Sequence, residues 1–257
     1  MNKENQEVLS KVPEITLIFW IIKILATTLG ETGGDAVSMS MDLGYLLSTG
    51  IFAVIFMVAV VVQVRARKFH PVIYWITIIA TTTVGTTLAD FADRSLGIGY
   101  LGGTSILFTL LMASLFIWYR TLGSVAVDTV NSPKSEMFYW VTIMFSQTLG
   151  TALGDWTADT AGIGYGGGVV VFGTLLGVIA AAYFWTKISH TVLFWAAFIL
   201  TRPLGAVVGD LLDKPTSEGG LALSRYSASL TLIALMAFFI FAFSHKPAKR
   251  HSASTSP

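Results

Sequence analysis

An all-α fold that crosses a lipid bilayer many times is what this sequence predicts, and three observations carry it. Apolar residues make up 54% of the 257 and charged residues only 12%, about half the charged share of a soluble domain. Apolar runs of about twenty residues recur from end to end, the length that crosses a hydrocarbon core of ~30 Å. One pattern is written four times. Trp20, Trp75, Trp140 and Trp195 are each followed ten residues on by Gly30, Gly85, Gly150 and Gly205, and five residues later by Asp35, Asp90, Asp155 and Asp210. A spacing kept four times marks a tandem array, so the repeat is the unit to explain.

Taken in order, the apolar runs place eight transmembrane helices at Pro13–Asp35, Tyr45–Val64, Val72–Asp90, Tyr100–Tyr119, Met137–Asp155, Tyr165–Thr186, Thr191–Asp210 and Ser224–Ser244. Odd helices carry the Trp-Gly-Asp pattern and even helices are plainer apolar spans. The reading is four helical-hairpin repeats, at about 13–65, 69–120, 134–187 and 190–244, forming one transmembrane domain over 13–244. A polar segment, 1–12, precedes it, and a basic, Ser-rich tail, 245–257, follows it as disordered chain. Lys23 within the first apolar run, and no small-residue cleavage site after it, make that run a retained helix rather than a signal peptide.

The connection Gly123–Glu136, with Asn131-Ser132-Pro133, splits the eight helices into two halves of four. Every repeat enters from the same side, so the repeats are parallel around an axis along the membrane normal. Basic residues gather after the even helices (Arg65, Arg67, Lys68, Arg120, Lys134, Lys187) and in the tail (Lys246, Lys249, Arg250). The turns within repeats hold Asp42, Asp93, Asp159, Asp213 and Glu218 instead, with few cations beyond Arg94, Lys214 and Arg225. The bias of Lys and Arg toward the cytoplasm therefore puts both termini inside and the acidic turns outside.

Gly30/Gly34, Gly150/Gly154 and Gly205/Gly209 are small-xxx-small pairs, with Gly85/Ala89 the relaxed copy. Such pairs let helix backbones approach closely in lipid, where packing drives association. Close packing of the odd helices would gather the four Asp residues just beyond. About twenty residues of helix, ~30 Å, separate them from the cytoplasmic side, so they sit near the outer boundary of the hydrocarbon. Read as ordinary helix ends they are poor choices, because a carboxylate at a helix C-terminus opposes the macrodipole. Ionisable groups at membrane depth mark ion pathways by default. Asp93, Asp159 and Asp213 form a secondary acidic set three or four residues on, and Glu31 adds a carboxylate that the other repeats lack, where Thr86, Thr151 and Ala206 stand.

Two cations lie deeper. Arg202 takes the slot of Thr27, Thr82 and Gln147, and its guanidinium needs an acceptor: Glu31, Asp210 or hydroxyls of the Thr27/Thr28, Thr82/Thr83 and Thr148 band. It reads as a charge-compensating residue or a structural pair. Lys23 is the second such cation, with a stem long enough to snorkel toward the cytoplasm. The Gly-Tyr turns at Tyr45, Tyr100 and Tyr165 and the four repeat Trp residues read as interface anchors or packing. Zero cysteines exclude disulfides and thiolate metal sites. His70, His190, His245 and His251 all fall on the inner side. No nucleophile–base pair, phosphate loop or zinc-protease pattern points to an enzyme, and no basic groove points to nucleic acid.

The four motifs TTLGETGGD (Thr27–Asp35), TTVGTTLAD (Thr82–Asp90), QTLGTALGD (Gln147–Asp155) and RPLGAVVGD (Arg202–Asp210) resemble those of a family of bacterial membrane proteins. That family is built of four tandem two-helix repeats of unassigned function, each with a tryptophan. The resemblance covers roughly residues 13–244 and implies a multi-pass protein of the bacterial inner membrane, without supplying an activity. The Glu-x-Gly-x-Asp run at Glu31–Asp35 is also similar to the acidic Gly-Asp motifs of small calcium/manganese–proton exchangers. Together these observations favour a secondary transporter of a hard divalent cation, Mn²⁺ first, coupled to protons. Its metal ligands would be Glu31, Asp35, Asp90, Asp155 and Asp210, since oxygen-only ligands suit Mg, Ca or Mn. The alternatives are a structural or regulatory membrane module that binds a partner through its acidic turns, and a transporter of a small cationic organic solute. The bilayer, the cation and protons are the expected partners, no cofactor is called for, and self-association stays open.

Overall fold

Caps and prolines set where the helices begin. A computed structural model describes residues 9–249. Thr16 caps α1 (Leu17–Asp35) by accepting the Phe19 N–H at 3.3 Å, so Pro13, expected inside that helix, lies ahead of it in an isolated β-bridge to Pro247. Pro71 and Pro133 open α3 (Pro71–Asp90) and α5 (Pro133–Asp155), where a missing N–H leaves no bond unmade. Ser132 and Ser135 cap each other reciprocally, which starts α5 at Pro133 rather than Met137. The remaining helices are α2 (Gly44–Arg65), α4 (Tyr100–Leu122), α6 (Gly164–Trp185), α7 (His190–Asp213) and α8 (Arg225–Ala242).

Three odd helices do not stop at their Asp. They widen into π-helical turns at Ala36–Ser40, Phe91–Ser95 and Trp156–Thr160, closed by N–H bonds of Met41, Leu96 and Ala161 to the carbonyls five residues back. Asp35, Asp90 and Asp155 therefore sit at a junction inside continuous helix, not at a free C-terminus. The chain then reverses through Gly44, Gly99 and Gly164, with φ of +72°, +76° and +67°, a backbone that favours glycine. Repeat four departs from this: α7 runs on to Asp213 and is followed by Lys214, Pro215 and a 3₁₀ turn at Thr216–Glu218.

The odd helices form an inner ring in the order α1, α3, α5, α7 and back to α1. The even helices cover it from outside. Their packing corrects the hairpin expectation: α2 lies along α3, α4 along α5, α6 along α7, and α8 along α1. The two helices of one repeat meet chiefly at their turn, so each outer helix covers the inner helix of the next repeat. Among the described residues, seven helices are long and apolar enough to cross a membrane. The exception is α5, with Lys134 and Glu136 in its first turn and Ser146, Gln147, Thr148 and Thr151 within.

Both described ends of the chain lie at one end of the bundle. Ala248 and Glu14 donate backbone bonds of 2.8 Å to Val12 and Lys246, and Lys11 pairs with Glu136 at 2.7 Å. The tail expected to be disordered from residue 245 is thus paired as far as Ala248, where its backbone finds partners on the N-terminal segment. Residues 1–8 and 250–257, the rest of the N-terminal segment and of the tail, lie outside the described residues. Next to this terminal end sits an aromatic core in which Trp75, Trp140 and Trp195 are buried. Phe19 meets Trp75 at 5.4 Å between ring centres and Trp118 meets Trp195 at 5.8 Å. These three tryptophans pack rather than anchor.

Candidate functional site

The glycine pairs set the register of the inner ring. A Cβ added at Gly30 would meet Thr82, one at Gly85 the backbone of Gln147 at 3.0 Å, one at Gly150 Arg202, and one at Gly205 Thr27. The second small residues repeat the offset, with Gly34 against Thr86, Gly154 against Ala206 and Gly209 against Glu31. One offset at every interface means that equivalent residues stack in levels, about one helical turn apart.

From the terminal end the first level is aromatic: Phe19, Tyr74, Tyr139 and Phe194. The second is Lys23, Ile78, Ile143 and Phe198. Above them come Thr27, Thr82, Gln147 and Arg202, then Glu31, Thr86, Thr151 and Ala206, and last the four repeat Asp residues. All twenty side chains are buried. The ring interior therefore grades from aromatic through polar to acidic. Tyr74 and Tyr139 close its first level, their hydroxyls 2.6 Å apart.

Arg202 is the hub of the polar levels. Its Nη2 lies 2.8 Å from Glu31 Oε2, 2.6 Å from Thr86 Oγ1 and 2.5 Å from Thr151 Oγ1, and shares its two N–H groups among these three acceptors. Glu31 is thus its acceptor, as charge compensation requires, while the hydroxyls lie one turn beyond the threonines expected. Lys23 does not snorkel. It is fully buried, its ammonium lies 4.2 Å from the centre of the Phe198 ring, and it has no hydrogen-bond partner among the described residues. The aromatic level below blocks its way out.

The acidic level divides in two. Glu31, Asp35 and Asp210 come together, one oxygen of each within 4.8 Å of the others. Lys214 lies against that group, with Nζ 2.7 Å from Asp35 and 3.2 Å from Asp210. Asp90 and Asp155 are instead joined to each other by Arg94, at 3.0 and 3.5 Å. Arg225 reaches Asp213 at 3.0 Å and Asp35 at 3.7 Å. Burial alone would weaken the Lys214 charge, but Asp210 and Asp35 outweigh it and hold its pKa above the ordinary lysine value.

The secondary acids separate as well. Asp159 belongs with Met39, Arg94 and Lys214, equivalent positions that line a cavity of about 320 Å³ above the acidic level, together with Tyr165, Glu218 and Arg225. Asp213 turns to Arg225 of α8, and Asp93 lies against Gly103 of α4. Residues that the sequence places in turns and that the structure brings to the site are Arg94, Lys214 and Arg225, along with two expected interface anchors, Tyr100, whose hydroxyl donates to Asp159 at 3.3 Å, and Tyr165. A signal for two of them was present: Asp90/Arg94 and Asp210/Lys214 are four residues apart, the spacing of helical ion pairs.

A helical bundle of four tandem units, with membrane-length helices around a charged interior, defines a repeat-built membrane protein. Residues 18–69, 73–124, 138–189 and 193–246 each match the family described as Repeat of Unknown Function (DUF347), and the chain belongs to that family. No curated protein and no solved structure matches it.

Proposed function

We propose that this protein is an eight-helix carrier of a hard divalent cation, Mn²⁺ first, driven by proton exchange across a bacterial inner membrane. The observation that carries the reading is the convergence of Glu31, Asp35 and Asp210, with oxygens within 4.8 Å of one another inside a buried ring. Six carboxylates (Glu31, Asp35, Asp90, Asp155, Asp210, Asp213) face four cations (Arg94, Arg202, Lys214, Arg225) in the ion-pair network around it. With all of them ionised, the excess of two negative charges matches one divalent ion. Carboxylates that share an ion also share protons, which gives a route to coupling. At 23 residues α5 is as long as its neighbours, and its polar face is enclosed by the ring. All eight helices then cross, with the basic loops and termini in the cytoplasm and the cavity above the acidic level outside.

A second reading has its own support. Arg94, Lys214 and Arg225 already neutralise most of the carboxylates, as they would in a structural module whose ion pairs only hold the turns. The two part on binding. Purified protein titrated with Mn²⁺, with free ion read by its electron paramagnetic resonance signal, is expected to bind saturably. Asp35→Asn should weaken binding by about tenfold, and Asp155→Asn, on the far side of the ring, by much less. Proteoliposomes under an imposed pH gradient should move Mn²⁺ against Mg²⁺ and Ca²⁺ controls. Absence of saturable binding and of uptake for all three ions overturns the carrier and leaves the structural module.

A further inference from the structure

Lys214 is in an unusual place for a loop lysine. It follows the last residue of α7, yet its side chain is only 8% exposed and its ammonium contacts two members of the three-carboxylate group. Its position is specific to repeat four. The equivalent residues Met39, Arg94 and Asp159 lie in π-helical turns, whereas Lys214 opens a loop folded back on α7. Leu221 and Leu223 donate to the carbonyls of Leu211 and Leu212 at 2.8 Å, and Ala222 donates to that of Lys214 at 2.9 Å. A Cβ at Gly220 would strike the Lys214 carbonyl, so this strap needs glycine to close. The backbone of Lys214 is pinned, and only its flexible stem is left to move.

The acidic level also keeps unused acceptors. Asp90, next round the ring from Asp35, has a buried Oδ2 with no partner among the described residues, and so does Oδ1 of Asp213. The cavity above offers the ammonium somewhere to go: Asp159 and Glu218 line it beside Lys214 itself, while Arg94 and Arg225, which also line it, are turned to Asp90, Asp155 and Asp213.

We propose that Lys214 is a tethered competitor: its ammonium takes the place of the transported cation at Glu31, Asp35 and Asp210, and it swings out into the cavity when the metal enters. This rests on the cation reading above and adds to it the group that the ion must displace. A tethered cation competes at high effective concentration, so it sets the affinity of the site and keeps the empty carboxylates from repelling one another. It also favours release, since the returning ammonium drives the metal off.

The test compares wild type, Lys214→Gln and Lys214→Arg in the Mn²⁺ titration, and follows Lys214 in wild type by amine acylation read with mass spectrometry. K214Q is expected to bind Mn²⁺ tighter by roughly ten- to a hundredfold, the range that a charged hydrogen bond contributes to an equilibrium. K214R, which keeps the charge, should stay near wild type. Acylation of Lys214 should rise when Mn²⁺ saturates the site. Wild-type binding with unchanged or weaker binding by K214Q, and flat acylation, overturns the competitor while leaving the cation site in place. If K214Q does not fold, acylation in wild type decides alone, a rise supporting the exchange and a flat response rejecting it. If neither wild type nor K214Q binds Mn²⁺, the cation reading falls and the competitor falls with it.

Discussion

Removing the charge of Glu31 tests whether the ring is held at its centre by Arg202. Glu31 is 3% exposed and Arg202 fully buried, so neither charge is relieved by solvent. Glu31→Gln keeps the side-chain shape that packs on Gly209 and an amide oxygen that can still accept from Arg202, but it removes the only carboxylate paired with the guanidinium among the described residues. An orphaned buried charge typically costs about 3–5 kcal/mol. The reverse change, Arg202→Met, should cost less, because an abandoned carboxylate can take up a proton while a guanidinium cannot give one away. Methionine also keeps the Cβ–Cγ stem that Gly150 accommodates. In the double variant neither charge remains, and Thr86 and Thr151 still bond the carbonyls of Thr82 and Gln147. Its stability should return to within about 1 kcal/mol of wild type, or exceed it. Equilibrium unfolding in mixed micelles with a metal chelator present measures the cycle. E31Q as stable as wild type, or a double variant as unstable as the sum of the singles, would refute the view that this pair holds the axis.

Three further outcomes are expected. Gly150→Ala puts a Cβ against Arg202 and 3.0 Å from Cδ of Pro203, and should lower stability by about 1–3 kcal/mol as overpacking does. Gly177→Ala, on the outer helix α6 with nothing within 4 Å, should be neutral or slightly stabilising in the same unfolding assay, and equal effects at the two sites would contradict the ring. For orientation, a cysteine at Ser132 should resist a membrane-impermeant thiol reagent in intact cells and one at Thr160 should react. The opposite labelling would invert the topology.

The inner ring was legible in the sequence because its residues are constrained from two sides. Gly30, Gly150 and Gly205 must be small for the next helix, and the Asp residues keep register with them, so spacing alone drew the array. Glu31 and Arg202 stood out as departures from the repeat, and they meet. The outer helices were legible as spans, but not which inner helix each covers. A helix such as Gly44–Arg65 is apolar almost all round, so no stripe says which neighbour it covers, and the covalent partner was the default choice. Lys214 and Arg94 were read as loop charges because a chain turn was placed at each Asp. The π turn at Phe91–Ser95 carries the helical face onward to Arg94 instead, and α7 runs on to Asp213 and brings Lys214 back over Asp210. Lys23 was assigned a route to water that exists for a lone helix but not behind Phe19, Tyr74, Tyr139 and Phe194.

The handing of each outer helix to the following repeat has a consequence for biogenesis. As the chain leaves the ribosome, α3, α5 and α7 each find a cover already made, in α2, α4 and α6. Only α1 has none, because its cover is α8, the last of these eight helices to be synthesised. It is also the inner helix that carries both Lys23 and Glu31, and its ring neighbour α7 arrives just before α8. The first of the eight is therefore the last to be enclosed, and a chain truncated before α8 leaves it facing lipid. Premature stop mutations in the final repeat should consequently be read by membrane quality control through a defect at the opposite terminus.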